Sequence, residues 1–70
     1  LAGDHVAAEA AYASVLDRDP TSTPAIIGRG DSLFQLGRTE DAVTCYRRAV
    51  ATSPQDSVAL FALGSALMTQ

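Results

Sequence analysis

The sequence predicts an all-α chain built as a helical-hairpin repeat array, and three observations carry that expectation. First, residues recur 34 positions apart: Pro20 and Pro54, Tyr12 and Tyr46, Ala8 and Ala42, Gly3 and Gly37, then Gly30 and Gly64, Leu33 and Leu67, Ala25 and Ala59. Second, these are turn and packing residues rather than surface charges. Third, the apolar residues between them keep helical spacing, in a chain that is 47% hydrophobic and rich in alanine, the best helix former.

Taken in order, Leu1 to Gly3 reads as the tail of an element already under way. Asp4 is a good N-cap for a first helix running from His5 to Asp17. On it Ala8, Tyr12, Val15 and Leu16 share one face. Asp19-Pro20 ends the helix, because proline restricts the residue before it and has no N–H to donate. Thr23 is the expected cap of a second helix, with Pro24 at the first helical position, where no N–H is needed. Ala25 to Leu36 then sets Ile26, Gly30 and Leu33 on one face, with Ile27, Asp31 and Phe34 beside it. Gly37 fits a left-handed C-terminal cap.

Thr39 is the expected cap of a third helix, whose first turn holds Glu40 and Asp41 against the positive end of the dipole. Ala42, Tyr46, Ala49 and Val50 repeat the pattern of the first helix, with Arg47 and Arg48 turned outward. Ser53-Pro54 ends it as Asp19-Pro20 ended the first. Asp56 or Ser57 caps a fourth helix, Val58 to Gln70, in which Leu60, Gly64 and Leu67 echo Ile26, Gly30 and Leu33. Four helices and three short turns account for the whole chain.

Composition excludes several classes of function. The net charge is −3, and the five cations are all arginine and scattered, so neither nucleic acid nor an anionic membrane surface finds a basic patch. No apolar run approaches the ~20 residues that cross a bilayer. A single cysteine forms no internal disulfide, and a cytoplasmic setting is the default expectation. A chain opening on Leu1 rather than Met is expected to be a fragment of a longer protein.

These residues resemble the tetratricopeptide repeat, a helix–turn–helix unit of 34 residues that stacks into a right-handed α-solenoid. The resemblance spans the chain. Residues 23–56 match a complete repeat, with Gly30 at the close approach of its two helices and Ala42, Tyr46, Ala49 and Pro54 on the remaining signature places. Ile26 stands where the family often has Trp, and Leu33 where it often has Tyr. Residues 1–22 match the second helix of a preceding repeat and residues 57–70 the first helix of a following one. Physics supports the same picture: neither helix of a pair buries its apolar face alone, so stacking completes the core. Arg29 departs from the pattern, standing where Leu63 lies one period later. Its head is expected to reach solvent or to meet a carboxylate on a neighbouring helix.

Other signals have plainer readings. Arg29-Gly30-Asp31 spells an adhesion tripeptide, but inside a helix rather than on a loop tip. His5 is expected to be solvated at a helix start, and Cys45 to be a small packing residue with no partner at metal-ligand spacing. Ser14, Ser32 and Ser65 lack an activating His and Asp, and no glycine-rich loop precedes a helix to hold phosphate. No catalytic, cofactor or metal constellation is found.

The resemblance implies a protein–protein interaction scaffold whose ligands lie on the concave face formed by the first helix of each repeat. The residues expected there are Ile27, Asp31, Phe34, Gln35, Phe61, Ser65, Met68 and Thr69, an apolar and adaptable strip suited to an apolar or amphipathic peptide or helix. The subset of the family that binds chaperone tails clamps a terminal carboxylate with Lys, Asn and Arg; here the matching surface holds Ile27, Asp31, Phe61 and Ser65. The same strip also fits packing against neighbouring repeats. Two alternatives stay open: structural self-association through the exposed repeat ends, and a non-catalytic scaffold within a larger enzyme.

Overall fold

The computed structural model describes residues 4–69 and forms four helices: α1 His5–Arg18, α2 Thr23–Gln35, α3 Thr39–Thr52 and α4 Ser57–Thr69. Gly3 and Gln70, both assigned a place in the repeat, lie outside the described residues. Each helix packs on its neighbour in sequence, and α2 also touches α4 across α3. This serial packing gives a flattened body of 32 × 29 × 17 Å.

The two links after prolines are copies of one another. Asp19 and Ser53 each close the preceding helix by donating a backbone N–H four residues back, to Val15 and Ala49, at 2.9 and 2.8 Å. Both leave the helical region, as a following proline favours, with φ −137° and −135° and ψ 84° and 79°. Ser22 and Asp56 then donate back to the Asp19 and Ser53 carbonyls and lead into the next helix. The 34-residue period is therefore written in backbone geometry as well as in residue type.

Helix starts follow the sequence at both outer helices. The Asp4 carboxylate accepts from Ala7 N–H at 3.1 Å, and Asp56 accepts from Val58 and Ala59 N–H at 2.9 and 3.3 Å. The inner two caps lie one residue earlier than expected. Ser22, not Thr23, is the N-cap of α2, and its side chain makes no capping bond. Pro24 removes the second-position N–H that a cap would bond, and the Thr23 hydroxyl instead pairs with Ser53 Oγ at 2.7 Å, tying the start of α2 to the end of α3. Arg38, not Thr39, is the N-cap of α3. The reason is the turn: Gly37 sits at φ 81°, its N–H reaches Phe34 O, and Arg38 N–H reaches Leu33 O. These are the two bonds of a Schellman stop, so Arg38 ends one helix and begins the next.

The core gathers where α2 and α3 face each other. Ile26, Leu33, Ala42, Tyr46 and Ala49 are all buried, as the helical spacing predicts. Alanines at 42, 49, 59 and 66 are essentially fully enclosed, which lets the backbones of α3 and α4 come close. The outer faces differ. Val15, assigned to the inward face of α1, is 45% exposed, because α1 has only α2 to pack on and Leu16 takes the buried place. Tyr12 is half-buried for the same reason, whereas Tyr46, between α2 and α4, is 3% exposed.

Candidate functional site

α2 and α4 form the two walls of a cleft whose floor is Tyr46 of α3. Its volume is about 280 Å³, and it is lined by Ile27, Asp31 and Phe34 from α2 and by Val58, Phe61, Ala62, Ser65 and Ala66 from α4. Helical spacing explains the lining: 27, 31 and 34 lie on one face of α2, and 58, 61/62 and 65/66 on one face of α4. Apolar surface dominates it. Phe61 is 77% exposed, an unusual setting for a phenylalanine, while Phe34 is half-buried and Ile27 nearly enclosed.

Of the residues expected on this face, Ile27, Asp31, Phe34, Phe61 and Ser65 line the cleft together. Gln35, Met68 and Thr69 are exposed outside it. Met68 is 90% exposed, and the Thr69 hydroxyl is turned back onto the Ser65 carbonyl at 2.9 Å. Tyr46, Val58, Ala62 and Ala66 were not expected there. Val58 and Ala62 follow from continuing the Phe61/Ser65 stripe by one helical step. Tyr46 was legible only through Gly30, whose missing side chain opens the path for the ring.

Among the described residues, Asp31 brings the one charge in the cleft lining. Tyr46 Oη donates to Asp31 Oδ1 at 2.5 Å, holding the carboxylate at the edge of the apolar surface. Burial, and secondly this hydrogen bond, push the Tyr46 phenol far above its ordinary pKa, so it stays protonated and keeps donating.

A second cleft of about 240 Å³ lies among α1, α2 and α3 and is polar. Arg29 donates to Glu9 at 2.8 Å, so the arginine that breaks the apolar pattern pairs with a carboxylate on the neighbouring helix. Arg38 pairs with Asp41 at 2.8 Å, and Arg48 donates to the Pro20 carbonyl at 2.6 Å. Cys45 lines the same cleft half-buried; desolvation raises its thiol pKa, outweighing the opposing pull of Arg29 and Arg48. That thiol is a poor nucleophile at neutral pH. Arg29 and Asp31 thus address different partners from one helix turn, in no adhesion-loop geometry. Among the described residues no acid, histidine and cysteine cluster could hold a metal ion, and no helix is long and apolar enough to cross a membrane.

Helices packed serially, joined by replicated turns and carrying an apolar cleft between alternate members, define a helical-hairpin repeat protein. The chain belongs to the tetratricopeptide repeat family: the family model described as Tetratricopeptide repeat matches residues 1–70. Repeats of this family are protein–protein interaction scaffolds and in general non-catalytic. No curated protein and no solved structure gives a significant match to the chain.

Proposed function

We propose that this chain is an interaction module that receives an apolar or amphipathic peptide or helix of a partner protein in the α2–α4 cleft. The observation that supports it is the exposed Phe61, which lines a cleft of about 280 Å³ together with Phe34 and Ile27. A few anchor residues that become buried on binding carry most of the energy of an interface. In this reading residues 23–56 form one complete repeat, flanked by the second helix of a preceding repeat at 1–22 and the first helix of a following one at 57–70. Gln35, Met68 and Thr69 form the outer rim of the same face, and the module has no catalytic role of its own. The test is a titration of amphipathic and acidic-tail peptides against the wild type and Phe61→Ala. Amphipathic peptides bind with weak salt dependence and are weakened by the substitution. Micromolar binding of an acidic chaperone-tail peptide, lost at high salt, overturns the reading.

A second reading has its own observation. Leu60, Gly64 and Leu67 on α4 are exposed, and a Cβ built on Gly64 would meet nothing within 4 Å. One period earlier the space at Gly30 is filled by Tyr46. Tyr12 on α1 is the period partner of Tyr46 and is half-buried. Head-to-tail association sets the α1 of a second copy against this α4 face, continuing the packing already present. Light scattering behind size exclusion measures it: association weakened by Tyr12→Ala supports this reading, and a folded monomer at high micromolar concentration removes it.

A further inference from the structure

We infer that the segment received by the cleft carries a cationic side chain, arginine or lysine, which pairs with Asp31 while its apolar neighbours seat against Phe34 and Phe61. This rests on the cleft being the binding site. Among the described residues Asp31 is the sole charged side chain in the lining, and its residue is exposed. Among the described residues the arginines form their ion pairs elsewhere, with Glu9 and Asp41. Arg29, Arg38 and Arg48 line the other cleft, engaged with Glu9, Asp41 and the Pro20 carbonyl, and no ion pair to Asp31 forms among the described residues.

The hydrogen-bonding capacity of the cleft is one-sided. Tyr46 gives its only hydroxyl proton to Asp31, which leaves Tyr46 Oη an acceptor towards the cleft. The carboxylate retains further acceptor positions after accepting that bond. Ser65 can donate or accept. A ligand rich in donors and positive charge complements this wall, whereas a carboxylate is repelled by it. Phe34 and Phe61 line the same cleft, and aromatic rings there favour a cation further. The chain's net charge of −3 steers the same class of partner. Satisfying the Tyr46 hydroxyl needs only a neutral acceptor, so a carboxylate exceeds what the fold requires.

The test uses three acetylated, amidated amphipathic peptides of leucine, alanine and glutamine. They differ at one position on the border of the apolar face: arginine, its neutral isostere citrulline, or glutamate. Affinities are measured by fluorescence anisotropy on the wild type, Asp31→Asn and Phe61→Ala. Asparagine keeps an acceptor for Tyr46, and a thermal melt matching the wild type verifies this. The arginine peptide is expected to bind the wild type about three- to tenfold tighter than the citrulline peptide, the range of a partly exposed, charge-assisted pair. The glutamate peptide binds weakest, and Asp31→Asn abolishes the arginine preference. Equal affinity for arginine and citrulline peptides, or a preference that survives Asp31→Asn, overturns the inference. If in that case Phe61→Ala still weakens all three peptides, the cleft remains the binding site and only the role of Asp31 falls. If no peptide binds, or Phe61→Ala affects none, both fall together.

Discussion

The ring of Tyr46 occupies the space that a side chain at position 30 would need: a Cβ on Gly30 would sit 2.6 Å from Tyr46 Cε1. This contact closes α2 onto α3 and lets Tyr46 Oη reach Asp31 one residue further along. Gly30→Ala is therefore expected to destabilise by about 1–3 kcal/mol, since overpacking a filled site outweighs the better helix propensity of alanine. Gly28→Ala meets the Tyr12 ring at 2.5 Å, but the atoms met are the far end of a half-buried side chain, so its cost is smaller. Gly64→Ala meets no neighbour and is expected to stabilise by up to about 1 kcal/mol. Urea melts of the three variants rank them; a Gly30→Ala midpoint above wild type contradicts the packing described.

Truncating the two tyrosines separates the inner from the outer position. Tyr46→Ala removes a ring that is 3% exposed and is expected to cost roughly 3 kcal/mol or more. Tyr12→Ala costs less, because α1 is covered by α2 alone. Equal losses in the two urea midpoints would count against this asymmetry.

The Arg29–Glu9 pair is partly screened, with side chains 37% and 22% exposed. A double-mutant cycle through Arg29→Ala and Glu9→Ala is expected to give a coupling of about 0.5–1 kcal/mol, reduced by salt. A coupling of zero at low ionic strength would show that Arg29 is held by its aliphatic stem alone.

Alkaline pH should weaken the fold through two groups. Cys45 and Tyr46 have folded-state pKa values raised above their ordinary 9.0 and 10.0, in both cases chiefly by burial. The folded chain holds these protons more tightly than the unfolded chain. Their contribution is therefore fully present below the ordinary thiol value and is lost progressively as pH rises past it, first for Cys45 and then for Tyr46. Urea midpoints should be flat from neutral pH to about pH 8 and fall from about pH 9 upward. Cys45→Ser removes the first part of the fall and Tyr46→Phe the second. A midpoint that stays level through about pH 10.5 in the wild type would refute the assignment.

By itself the sequence determined the four helices, their proline-marked ends, the left-handed stop at Gly37 and the inward face of the central pair. Those features depend on local physics: propensity, the missing N–H of proline, the freedom of glycine and the 3.6-residue spacing of Ile26, Gly30 and Leu33. Five of the residues expected on the binding face, Ile27, Asp31, Phe34, Phe61 and Ser65, also share a cleft because each lies on one stripe of its own helix.

What only the tertiary structure decided depends on how helices are rotated and set against one another, which spacing within a helix leaves open. It left Val15 exposed while Leu16 of the same expected face is buried, since α1 meets a single neighbour. It took the Thr23 hydroxyl from capping to bonding Ser53, and it gave Arg29 its partner Glu9 on another helix. It also brought Tyr46 through the gap at Gly30 to Asp31, making a core residue the floor of the cleft. A hydrogen bond between α2 and α3 has no signature in either helix alone, because it exists only once the glycine has let the two backbones close.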